Sequence, residues 1–151
     1  MLCKAIRLAT VTININEYEA PHSAPDTSSS CLVTHIDIEQ SASGLFSSCE
    51  KRCIDDVTYE HRDWLFGTLK SRSWWTSFDD VDDDHGNGSW EYEDTGHDFI
   101  TTRAESVRHG WVACQLWGFQ KVGGERRYCC HVTVSKSNRS VSTRLVYEFV
   151  E

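Results

Sequence analysis

The sequence predicts an all-β chain: one antiparallel barrel or sandwich of about eight to ten strands, with little helix and an interior pocket. The strongest sign is the run from Gly110 to Glu151. It holds three strand-like segments that alternate in character with period two, joined by two short polar turns, the first at KVGGER. Strands joined so closely pair antiparallel. A meander with many bulky residues on one parity curls around an interior. The second sign is upstream, where further short strands follow one another with no convincing long helix between them. The third is aromatic content: six Trp, five Tyr and six Phe in 151 residues are enough to line an apolar cavity, although they also serve as ordinary core.

The elements follow in order. Ala5 to Tyr18 is a strand, with Val11, Ile13 and Ile15 alternating with Thr12, Asn14 and Asn16. Glu19 to Ser30 is a loop, because it holds Pro21, Pro25 and a Ser/Thr cluster. Leu32 to Gln40 is a clean strand: Leu32, Thr34, Ile36 and Ile38 face one way, His35, Asp37 and Glu39 the other. After a turn at Ser41-Ala42-Ser43-Gly44 come strands at Leu45 to Cys53 and Val57 to His61, joined at Asp55-Asp56. Trp64 to Phe78 is a long strand or a bent pair, with Gly67 as a bulge. Asp79 to Thr95 is an acidic loop with room for one short helical turn. Asp98 to Arg108 is a strand that turns at His109-Gly110, and the C-terminal meander completes the chain.

Length and charge bound the function. A chain of 151 residues fits one domain, taken here as residues 1–151, and can bury about 70% of its unfolded surface. With 15 Lys+Arg against 23 Asp+Glu, the net charge of −8 argues against nucleic acid and against an anionic membrane surface. No stretch approaches the length of a transmembrane helix. The seven cysteines are an odd number, and none of their spacings matches a zinc site. Buried thiols in a reducing compartment are the first reading of them; disulfides in a secreted form are the other. Two sequons, Asn87-Gly-Ser and Asn138-Arg-Ser, fit the secretory route, whereas the N-terminus shows no long apolar signal segment and fits the cytoplasm. A homodimer is compatible with the sequence.

Several groups invite chemistry. In Trp111 to Phe119 both parities are substantially apolar, so this strand is covered on both sides. Gln115 lies between Trp111 and Trp117, where a pocket amide can orient a ligand's carbonyl or hydroxyl. The bland alternative is a Gln bonded to backbone at a sheet edge. Arg127, Cys129, His131 and Thr133 share one parity, and Tyr128, Cys130, Val132 and Val134 the other. An interior Arg or His polarises a carbonyl. Against that stands a solvated outer face. Tyr59 to Asp63 contains an acid, a base and a phenol, but neighbours on a strand point apart, which weakens a catalytic His61. The Asp79 to Asp84 run lacks the register and the helical flanks of an EF-hand; a solvated entrance loop, with Trp90 and Tyr92 over a barrel mouth, suits it better. No nucleophile elbow, P-loop, dinucleotide fingerprint or zincin motif is present.

Four strings carry a family resemblance: Asp63-Trp64-Leu65-Phe66-Gly67, Ser71-Arg72-Ser73-Trp74, Gly110-Trp111 with Gln115-x-Trp117-Gly118-Phe119, and Gly124-Glu125-Arg126-Arg127-Tyr128. From about Ser30 to Glu151 the chain resembles small fungal proteins of natural-product gene clusters that have a lipocalin-like, calycin-type β-barrel. Some of these act as hetero-Diels–Alderases, joining an o-quinone methide to a terpene alkene. The resemblance implies a hydrophobic small-molecule substrate and neither cofactor nor metal. It implies Gln115, Arg127, His131 and Tyr128 as hydrogen-bonding groups on the heterodiene oxygen. Trp64, Trp74, Trp75, Trp111, Trp117, Phe119 and Tyr147 would be walls against the flat diene. The N-terminal segment does not match a lipocalin start. Two rival functions stand beside a cyclase of secondary metabolism: a carrier that does no chemistry, and a barrel isomerase or dehydratase using His or a carboxylate.

Overall fold

The alternation in the sequence becomes ten strands in a computed structural model, which describes residues 10–22, 31–42, 46–63, 66–81, 90–91 and 97–150. The chain divides into two compact units, Met1–Asp55 and Asp56–Glu151. The first unit is a three-stranded antiparallel sheet in the order β1 (Val11–Pro21), β2 (Leu32–Ala42), β3 (Phe46–Cys53). The predicted parity of β2 holds: Ile36 and Ile38 are buried, while Asp37 between them faces away. Arg52 lies opposite Ile36 and is also buried, its guanidinium donating twice to Glu50 at 2.8 and 3.0 Å. Glu19–Pro21 belong to the strand rather than the expected loop, since they pair with Leu32–Thr34. Pro21 is tolerated because it ends an outer strand, where a missing N–H costs no ladder bond.

The second unit carries the sequence's aromatic richness. Its strands are β4 (Tyr59–Asp63), β5 (Gly67–Thr76), β6 (Trp90–Glu91), β7 (Phe99–Ser106), β8 (Val112–Val122), β9 (Glu125–Lys136) and β10 (Arg139–Tyr147), with one 3₁₀ turn at Phe78–Asp80. The order is β10-β9-β8-β7-β5-β4, and every described pairing is antiparallel. The short β6 pairs with Phe119 and Gln120 of β8, just past the point where β7 stops at Trp117.

Turn chemistry fixes the register. Gly123 and Gly124 sit at φ 61° and 89°, the left-handed pair that a tight hairpin needs, and so β8 and β9 meet with Val122 opposite Glu125. Between β9 and β10 the left-handed position falls on Ser137, at φ 52°. Gly67 is not the expected bulge. It leaves the β4–β5 turn at φ 77°, where Asp63 Oδ1 accepts the Phe66 N–H at 2.7 Å. The expected turn at His109-Gly110 is present, with Gly110 at φ 65° and its N–H donated to the Ser106 carbonyl at 3.0 Å.

All-β architecture, antiparallel pairing and near absence of helix agree with the sequence reading. Closure into a lipocalin-like barrel is not seen among the described ladders. A barrel requires a ladder joining its last strand to its first. Among the described residues the ladders make two sheets, the first ending at β1 and β3 and the second at β10 and β4, with β6 paired to β8 alone. The start of the predicted first strand (residues 5–9), the Asn87 sequon, Tyr92 and most of the acidic loop lie outside the described residues.

Candidate functional site

The site is a question of which face each side chain takes. Directly opposed residues of paired strands share a face, and neighbours along a strand alternate. One row across the larger sheet is therefore Trp75, Ile100, Trp117, Cys130 and Leu145; the row beside it is Ser73, Thr102, Gln115, Val132 and Thr143. On the other side of the first row lie Phe119, Tyr128 and Tyr147. The same face thus collects six of the predicted site residues: Trp75, Gln115, Trp117, Phe119, Tyr128 and Tyr147.

These side chains touch. The Trp117 ring stacks on Tyr128 at 5.7 Å and 29°, and on Tyr147 at 6.1 Å and 18°. Phe119 meets Tyr128 at 5.2 Å. Such aromatic pairs contribute about 0.5–1.5 kcal/mol each beyond their burial. Trp117 is only 5% exposed, whereas Phe119, Tyr128 and Tyr147 are half-buried. The tier therefore has a closed floor and accessible sides. Gln115 is tied to it: the Trp117 indole N–H donates to Gln115 Oε1 at 3.1 Å. With its carbonyl accepting from the indole, Gln115 turns its Nε2 donors away from Trp117. At the far end the Arg126 guanidinium lies 3.6 Å above the Phe119 ring and is held by Glu91 at 3.0 Å. Trp75 stands at the start of the first row, stacked on His97 at 5.1 Å.

The remaining candidates are elsewhere. Arg127 and His131 take the opposite face from Tyr128, so the four hydrogen-bonding candidates do not converge; Gln115 and Tyr128 share one face, Arg127 and His131 the other. Arg127 is engaged in ion pairs with Glu125 and Glu148. His131 Nε2 is 3.1 Å from Gln120 Oε1. Trp74 also faces that way, under the Arg72 guanidinium at 4.8 Å. Trp111 precedes β8 and packs edge-on against Phe66 at 5.4 Å, which places it about 20 Å along the strand from Trp117. Trp64 lies outside the described residues.

The opposite face has its own core of Trp90, Phe99, Leu116 and Cys129, against which Val81 and Val122 pack. Gly118 makes this possible: a Cβ there would come within 2.4 Å of the Phe99 ring and 3.1 Å of the Trp90 ring. Burial raises the Cys129 thiol above its ordinary pKa, with the nearby Arg144 charge and a backbone hydrogen bond from Gln120 pulling the other way. Gln120, 1% exposed, was not among the residues singled out from the sequence. Its signal was its place after Gly118 on a strand apolar on both parities. The first unit carries a separate groove of about 390 Å³ lined by residues such as Thr12, Asn14, Glu39, Ser41, Ser47 and Cys49. It includes none of the predicted site residues.

The aromatic tier defines a class of surface: a β-sheet face of stacked rings, with an amide and phenols alongside. Comparison with known proteins gives this a direction. The chain is 33% identical over 110 residues to the curated protein "Probable pericyclase scpY" of Mollisia scopiformis. The matched stretch is 71% of this chain and 57% of that protein, so the chain spans little more than half the relative's length. This similarity supports kinship with a pericyclase-type protein. No family model matches the chain, and no solved structure matches it.

Proposed function

We propose that the protein is a pericyclase of the hetero-Diels–Alder type, acting on a flat enone such as an o-quinone methide and on an apolar alkene. The observation that carries this reading is the stacked tier of Trp117, Tyr128 and Tyr147 with Gln115 tied beside it. The cycloaddition forms one C–C and one C–O bond while the π electrons shift within the six reacting atoms; nothing leaves and no proton moves. It needs no nucleophile, and the sequence offers no nucleophile motif. What it needs is alignment of the two partners, which can be worth up to about 7–11 kcal/mol when both are well oriented. A donor on the enone oxygen lowers the barrier further, because charge grows there in the transition state. Gln115 Nε2 and the Tyr128 and Tyr147 hydroxyls are donors on the tier's face. Closing apolar rings over the diene also keeps water from adding to it.

The test is stereochemical. An o-quinone methide generated in water with a terpene alkene such as humulene is left to react with and without the protein, and the adducts are resolved by chiral chromatography. One enantiomer is expected in excess. Trp117→Ala should abolish the excess and weaken ligand-induced fluorescence quenching, whereas Gln115→Met should lower the rate more than the affinity. A racemic product accompanied by tight binding would convert the reading to a carrier. A bell-shaped pH profile would convert it to acid–base isomerisation.

A further inference from the structure

The face opposite the aromatic tier contains a polar cluster that the proposed function does not use. Trp90 and Gln120 lie directly across from each other on β6 and β8, so their side chains rise from the same spot on the same face. The Trp90 ring is 4.9 Å from His131, and His131 Nε2 meets Gln120 Oε1 at 3.1 Å. In this arrangement the Gln120 carbonyl faces the imidazole, which donates from Nε2, and the NH2 is directed elsewhere. Both remaining donors are buried and unmatched. Among the described residues Gln120 Nε2 and Trp90 Nε1 have no hydrogen-bond partner, on side chains that are 1% and 9% exposed. Buried N–H groups are almost always paired, and two orphans on facing residues are costly.

We propose that Trp90, Gln120 and His131 form a second binding centre that takes the carbonyl oxygen of a neutral organic ligand. The missing group is an acceptor, because both orphans are donors. Two donors on one oxygen match the two lone pairs of a carbonyl. A neutral group is favoured over a carboxylate: the two donors are uncharged, Phe99, Leu116 and Cys129 lie nearby, and the cation across from Gln120, Arg127, is already paired with Glu125 and Glu148, so an anion placed there would lose hydration that neutral N–H groups do not replace. His131 is the positioning residue, since it holds the amide with its NH2 turned toward the ligand. The centre stands independently of the pericyclase reading, because it lies on the other face of the sheet.

The experiment is a proton–nitrogen NMR titration of the intact protein, with the Trp90 indole signal assigned through Trp90→Phe and with 2-cyclohexenone as the probe. The Trp90 Nε1–H and the Gln120 side-chain NH2 should move downfield and saturate together. In Gln120→Met, which keeps the side-chain length, the dissociation constant from the Trp90 signal should rise about tenfold, the loss of roughly one hydrogen bond. Trp117→Phe, on the other face, should leave the titration unchanged. Acetate at the same concentrations should move the signal less; a stronger response to acetate overturns the choice of a neutral carbonyl. A Trp90 signal that does not respond to cyclohexenone, or that responds equally in Gln120→Met, overturns the centre. A long-lived water contact at Trp90 Nε1–H that persists at saturating cyclohexenone assigns the donors to internal water and overturns it as well.

Discussion

On β8 the odd residues Gln115, Trp117 and Phe119 stand back to back with the even residues Leu116, Gly118 and Gln120, and the two faces they serve are built differently. The odd face is made of wide rings that lie over one another, Trp117 on Tyr128 and Tyr147, with half-buried edges. The even face is packed through a gap: Gly118 has no side chain, and Phe99 and Trp90 fill the space it leaves, meeting at 5.1 Å and 70°. A stacked tier tolerates the exchange of one flat ring for a ligand's. A core that depends on the absence of a Cβ does not tolerate additions. The contrast separates a face suited to binding by stacking from a face suited to stability, with one polar cluster at its rim.

The sharpest way to break this comparison is to damage the even face. Phe99 is 1% exposed, and Phe99→Ala should cost about 3–5 kcal/mol of folding free energy by removing the ring that fills the Gly118 gap. Gly118→Ala should cost about 1–3 kcal/mol through the opposite fault, overpacking. Since both act on the same contact, their effects should not add. Alanine at Gly118 should be relieved in part by alanine at Phe99, as a double-mutant cycle in urea would show. Strict additivity would mean that the gap does not organise this face.

A smaller effect follows from Cys129, whose sulfur lies at the floor of the same core and donates to the Arg127 carbonyl at 3.7 Å. Its folded pKa is raised by burial above the ordinary value near 9.0, so below that value the thiol is protonated in both states and its contribution is fully present. As pH climbs past the ordinary value, the unfolded thiol ionises first. The folded state then holds the extra proton, and stability falls with rising pH until the folded thiol ionises too. Denaturation midpoints across the alkaline range should show this extra slope in the wild type and lose it in Cys129→Ala. An identical slope in both would place the alkaline loss on other groups. The exposed thiols of Cys31 and Cys49 should meanwhile react with a thiol reagent in the native protein, and Cys129 only on unfolding.

The smallest expected effect serves as a control away from both faces. Ser137 holds a left-handed φ of 52° in the β9–β10 turn, where a Cβ is unfavourable. Ser137→Gly should stabilise the protein by up to about 1 kcal/mol, less the extra entropy of glycine in the unfolded chain. Neither enantiomeric excess nor the cyclohexenone titration should change. A change in either would mean that the hairpin, and not its faces, governs binding.

Much of the fold was legible because strand periodicity and turn chemistry are local. Val112–Val122, Glu125–Lys136 and Arg139–Tyr147 fall within the run from Gly110 onward that alternation marks out, and Gly123-Gly124 announces its own turn. Local signals misplaced Gly67, since a glycine looks alike in a bulge and at a turn exit, and they suggested closure into a barrel that no described ladder makes. The site was legible only in its residue types. Alternation requires Tyr128 to oppose Arg127 and His131, but where both parities are apolar it does not say which one gathers the ligand-sized rings. Cross-strand register decided that by bringing Tyr128 and Tyr147, far from Trp117 in sequence, onto its face. Register likewise set Trp90 across from Gln120 and left two buried donors without acceptors. Where strands run and turn follows from the chain alone, because those preferences reside in single residues and their neighbours. Tertiary structure alone decided which side chains share a face and which polar atoms are unmatched, because both depend on pairing between strands that no local pattern encodes.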